Sequence, residues 1–119
     1  MILYTSSFEK TLLWENPAPT SSLSSIEINV TDITEFNYIS VEWKTDTSSN
    51  NIYETVCPIE TFLNLTYYPI TIGVFNSGYG DFQRCVSRIS NTKITISHAR
   101  LGGTIYDSWL IVDKIYGMK

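Results

Sequence analysis

The side chains able to do chemistry are few, and most stand apart in the chain. His98 is the single histidine. Its nucleophilic candidates are Ser97 and Cys85, and neither sits in the glycine-flanked turn of a nucleophile elbow. Asp107 or Asp113 could complete a triad in space, because triad members need not adjoin in sequence. Nothing else points to acyl transfer, so a structural or solvent-facing histidine is the preferred reading. Glu42 and Glu54 flank one loop and could approach to the separation that glycoside hydrolysis requires. With twelve carboxylates in the chain, isolated surface acids explain such a pair more simply. Asp46 to Asn51 gathers oxygen donors but lacks the spaced acids and closing glutamate of a calcium loop. No catalytic residue, metal ligand or cofactor is therefore assigned.

Aromatic residues near turns say more. Tyr67, Tyr68, Tyr79, Tyr106 and Trp109 lie at expected strand ends or in turns, beside small polar residues. Flat rings suit the apolar C–H faces of sugars, and rigid aromatics also serve protein interfaces. Two turns repeat one arrangement: Ser77-Gly78-Tyr79-Gly80-Asp81 and Thr104-Ile105-Tyr106-Asp107 each set a ring beside a carboxylate. Tyr79, Asp81, Tyr106 and Asp107 are the candidate ligand-binding residues, with rings to stack and carboxylates to accept hydroxyl protons. Trp109 is assigned to the core.

The elements that must position these residues are strands. Tyr38 to Lys44 alternates cleanly, with Ile39, Val41 and Trp43 toward a core and Ser40, Glu42 and Lys44 toward water. Further strands are expected at Ile2–Tyr4, Lys10–Trp14, Ile26–Val30, Ile52–Ile59, Phe62–Tyr68 and Ile70–Phe75. Phe82–Ile89 and Thr92–Leu101 should form a hairpin around Ser90-Asn91. The run from Ser108 to Lys119 starts apolar on both faces, as a strand buried deep in a sheet does. Its two-residue period puts Trp109, Ile111, Asp113 and Ile115 on one face and Leu110, Val112, Lys114 and Tyr116 on the other. Apolar residues hold no helical period over ten or more residues. The pattern predicts an all-β fold, a single-domain antiparallel β-sandwich of jelly-roll type, with residues 1–11 a strand or link and 12–119 the sandwich.

Composition narrows the functional classes. The chain has 119 residues, enough for one core, and its net charge of −4 argues against a nucleic-acid partner. Lys and Arg are spread singly. The first residues lack the pattern of a secretory signal, and no apolar run is long enough to insert into a membrane. Cys57 and Cys85 lack metal-ligand spacing and read as two small buried thiols rather than a disulfide.

Two segments taken together carry a resemblance. Leu12-Leu13-Trp14-Glu15-Asn16-Pro17-Ala18-Pro19-Thr20-Ser21-Ser22 and Lys114-Ile115-Tyr116-Gly117-Met118-Lys119 are similar to the two ends of small β-rich virion proteins of long-tailed bacteriophages of Gram-positive bacteria. Those proteins pair an L-W-x-N-P-x-P-T-S start with a K-I-Y-G-I-K finish, and Met118 stands here for the usual isoleucine. The resemblance spans Leu12 to Lys119 and brings no site residues with it. It implies a non-enzymatic virion structural or host-recognition module, made in the host cytoplasm and carried in the virion. Its partners would be other virion proteins or a host surface glycan, and a fibre-tip role would imply a trimer. The alternatives are a polysaccharide hydrolase and a soluble phage factor acting on a host protein inside the cell.

Overall fold

A computed structural model describes residues 9–65 and 68–119. It is an all-β sandwich of two antiparallel sheets. The strands are β1 (Lys10–Glu15), β2 (Ile26–Asn29), β3 (Tyr38–Asp46), β4 (Tyr53–Pro58), β5 (Ile70–Asn76), β6 (Gly80–Ser90), β7 (Lys93–Ile96), β8 (Arg100–Leu101), β9 (Thr104–Ile105) and β10 (Trp109–Met118). One sheet runs β1-β10-β3-β4. The other runs β2-β7-β6-β8-β9, with β5 on the opposite edge of β6. The strand expected at Ile2–Tyr4 lies outside the described residues.

Inward alternation builds the core. Ile39, Val41 and Trp43 of β3 meet Ile70, Ile72, Phe82, Val86, Ile94 and Ile96 of the other sheet. The last strand joins them with a change of parity. Its pairing with β3 shifts register between Val112 and Lys114, so Leu110, Val112 and then Ile115 face the core. The uninterrupted alternation expected for β10 is thus corrected: a bulge at Asp113 hands the inward role from even to odd positions. A matching irregularity at Leu13 in β1 lets the adjacent Leu13 and Trp14 both pack on the core.

Asn16 closes over the bulge. Its backbone N–H donates to Asp113 O at 2.8 Å and its side-chain Nδ2 to Val112 O at 2.9 Å, while Oδ1 accepts from Ala18 N–H at 2.8 Å. The Asn-Pro-Ala-Pro segment is therefore a clasp, and its prolines follow where no ladder bond is needed. The two end segments that carry the phage resemblance meet here, since β1 pairs with β10 from Lys10↔Met118 to Glu15↔Lys114. At Gly117 the backbone lies against Phe36. An added Cβ would fall 2.5 Å from Cγ and 2.6 Å from Cδ1 of that ring, so only glycine fits.

Three expectations need correction. Phe62–Tyr68 does not begin as a strand: Ile59–Asn64 is a short α-helix, α1, linking the edge strand β4 to β5. Ile59, Phe62 and Leu63 stand at helical spacing and turn toward the core, and Phe62 is fully buried. Ser40 and Lys44 do not face water; both are buried on the outer face of the four-stranded sheet. Ser40 Oγ donates to Glu54 Oε2 at 2.8 Å, and Lys44 lies opposite the fully buried Ile111. Thr92–Leu101 is not continuous. It breaks after Ile96, and the tight turn falls at Asn91-Thr92.

Candidate functional site

Four rings gather at one end of the sandwich. Phe82, inward on β6, stacks on Trp109 with centroids 4.1 Å apart and planes 7° from parallel. Tyr106 meets Phe82 edge-on at 5.6 Å and 87°. Tyr79 leans over both, 6.3 Å from Phe82 and 6.5 Å from Trp109. The two turns singled out in the sequence therefore lie at the same end. Phe82 is 1% exposed, Tyr106 36% and Tyr79 65%, a gradient from core anchor to solvent-facing platform.

Local chemistry fixes both turns. Asn76 Oδ1 accepts from Gly78 N–H at 2.9 Å, and Tyr79 N–H donates to Asn76 O at 3.0 Å. Gly80, at φ +121, then releases the chain into β6 through a conformation other residues rarely adopt. Tyr106 N–H donates to Ala99 O, Trp109 N–H donates to Tyr106 O, and Leu110 enters β10 at φ +53.

The aspartates do not accompany their rings. Asp81 is exposed and, by alternation along β6, faces away from Phe82, in register with Phe75 of β5. Asp107 turns inward instead. Its Oδ2 lies 2.8 Å from His98 Nδ1, its Oδ1 accepts from Ala99 N–H at 3.1 Å, and Oδ1 is 3.7 Å from Arg84 Nη2. Its oxygens hold the protein together rather than await a ligand.

Arg84 is the residue that the sequence reading passed over. It lies fully buried between Phe82 and Val86 on the inward face of β6. Nη1 donates to Ser97 O at 2.8 Å, and Nη2 donates to Trp109 O at 3.2 Å and Asp107 O at 3.4 Å. Nε has no partner. Burial pulls its pKa down to about 10, against the opposing pull of Asp107. The guanidinium thereby ties the 97–109 segment to β6 and sets Tyr106 and Trp109 over Phe82. Its position at the even step between two apolar residues was the available signal.

The other chemical candidates resolve as follows. Asp107, not the bulged Asp113, reaches His98, giving an Asp–His pair. Ser97 Oγ accepts from Cys85 N–H at 2.9 Å and donates to His98 O at 3.0 Å, so it is engaged with the backbone. Burial pushes the Cys85 thiol up, against lowering hydrogen bonds from Thr71 and Ser97, which is unlike an activated thiolate. Cys57 is buried on β4, and neither thiol is in a disulfide.

Glu42 and Glu54 are direct cross-strand partners. Glu54, however, sits 2.7 Å from Lys10 Nζ, and hydrogen bonds from Lys10 and Ser40 hold its carboxyl below the usual range. A general acid needs the opposite shift. Asp46 Oδ1 accepts from Ser48 N–H and Oγ, a local turn. Among the described residues no group of three His, Cys, Asp or Glu could hold a metal ion. Tyr67 lies outside the described residues, while Tyr68 is exposed and lines a separate groove on the outer face of the six-stranded sheet. Among the described residues no helix is long and apolar enough to cross a membrane. No model of a known family, no curated protein and no solved structure matches this chain.

Proposed function

We propose that this chain is a non-enzymatic virion module of a long-tailed phage that recognises a host surface glycan through its aromatic end. The observation that carries the reading is the convergence of Tyr79 and Tyr106 on the stacked Phe82–Trp109 pair, with Tyr79 65% exposed on that rigid base. A sugar face would stack on Tyr79, and the two phenol hydroxyls would meet its rim. Asp107 acts through Arg84 and His98 as a positioning residue, and Asp81 stands outside the ring cluster. The end motifs support a phage origin.

The test is binding of the parent, Tyr79→Ala and Tyr106→Ala to an array of Gram-positive cell-wall saccharides. Both variants should lose binding, and Tyr79→Ala should stay within about 1 kcal/mol of the parent in stability, as exposed positions do. Saccharide binding that survives both substitutions in folded protein would overturn the assignment.

A further inference from the structure

A second concavity lies away from the aromatic end. On the outer face of the six-stranded sheet, β5, β6 and β8 floor a groove of about 530 Å³, within the range of small-ligand sites. Gln83 and Arg100 are cross-strand partners, which puts their side chains next to each other on this face. Neither side chain has a hydrogen bond or ion pair among the described residues, whereas both terminal nitrogens of Arg84 are bonded, Arg88 bonds Asn91 and Lys10 pairs with Glu54. His98 also lines the groove, with Nδ1 held by Asp107. When the ring is neutral, that bond takes the Nδ1 proton and leaves Nε2 as an acceptor. Thr71 adds a hydroxyl and Tyr68 a ring at the margin.

The local charge opposes that of the whole molecule. Among the residues that line the groove Arg100 is the one fixed charge, so with His98 neutral the lining carries one net positive charge, in a chain of net charge −4. Asp81 shares the outer face of β6 but does not line the groove and forms no ion pair with Arg100 among the described residues. A guanidinium fork beside a carboxamide suits a carboxylate or phosphate; an imidazole acceptor, a hydroxyl and a ring suit the hydroxyls and C–H face of a sugar.

We propose that this groove is a binding site for an acidic saccharide, its carboxylate or phosphate held by Arg100 and Gln83 and a hydroxyl held by His98 Nε2. The site does not depend on the aromatic end. Sodium glucuronate, glucose 6-phosphate, glucose and inorganic phosphate are titrated into the full chain by calorimetry and by NMR, with Arg100→Ala, Arg100→Lys and Tyr79→Ala as comparisons. At least one acidic sugar should bind saturably and more weakly as salt rises, with glucuronate and glucose 6-phosphate telling carboxylate from phosphate. Arg100→Ala should weaken that binding about tenfold or more, Arg100→Lys should weaken it less, and Tyr79→Ala should leave it unchanged. Arg100 is exposed, so its variants should melt with the parent. Glucose bound as tightly as the acidic sugar, a sugar phosphate that binds but no more tightly than inorganic phosphate, absence of saturable binding of either acidic sugar, or unaltered affinity in Arg100→Ala would each overturn the proposal.

Discussion

Replacing Asn16 by alanine isolates the clasp over the β10 bulge. The substitution removes two side-chain hydrogen bonds and keeps the backbone bond from Asn16 N–H to Asp113 O. The first lost bond deprives the carbonyl of the fully buried Val112 of a donor at 2.9 Å, at a cost of about 1–3 kcal/mol. The second frees Ala18 N–H, which is exposed and turns to water, so it adds only about 0.5 kcal/mol. The sum is about 1.5–3.5 kcal/mol, read as a lower urea midpoint at unchanged slope by tryptophan fluorescence. Asn16→Asp sharpens the test. It keeps the acceptor for Ala18 but sets a carboxylate against the Val112 carbonyl, so it should be less stable than Asn16→Ala at neutral pH. The folded state raises the pKa of that new carboxyl. Its penalty is therefore full above the folded value and shrinks as pH falls and the protonated group donates. An Asn16→Ala midpoint equivalent to less than about 0.5 kcal/mol of loss would refute the clasp as a stabilising device.

Gly117→Ala should destabilise by about 1–3 kcal/mol through overpacking on Phe36, and Phe36→Leu in the same chain should recover part of the loss in a double-mutant melt. Asp107→Ala removes the carboxylate beside the buried Arg84 and should cost about 3 kcal/mol by chemical denaturation, a loss that Arg84→Met should reduce when combined with it. Glu54 has a depressed folded pKa, so its contribution is complete above the unfolded value near 4.5 and fades as pH falls through the folded value. The group is part-exposed, so the effect should stay under about 1 kcal/mol, vanish in Glu54→Gln and shrink in high salt.

Alternation along Tyr38–Lys44 was enough to place β3 and its core face, because that strand borders a core on one side only. The outer side misled: Ser40 and Lys44 read as solvated, but both are buried in the middle of a sheet, Ser40 bonded to Glu54 on β4 and Lys44 opposite the buried Ile111 on β10. The parity change in β10 went unread because its first residues are apolar on both faces; the sign of it is the polar pair Asp113-Lys114 between the inward Val112 and Ile115, which breaks a strict two-residue period. The helix Ile59–Asn64 escaped since one and a half turns are shorter than any window in which period can be read. At the site, both aromatic turns were legible, and Trp109 takes its core place. The direction of Asp107 was not, because it is fixed by Arg84, a charge whose burial between Phe82 and Val86 runs against the usual preference of arginine for the surface.

β10 follows every other strand in chain order, yet lies between β1 and β3. Until it arrives, among the described residues β1 has no neighbour in the sheet, β3 has only β4, and Arg84 lacks its carbonyl at Trp109. The four-stranded sheet therefore cannot assemble outward from a local hairpin, and its pairings with β1 span nearly the whole sequence, which makes for slow closure. During synthesis the growing chain waits with an open slot the width of one strand. A strand that fits it must carry the parity change at Asp113, which an identical copy's β10 does, so strand exchange between copies is the misassembly this topology exposes.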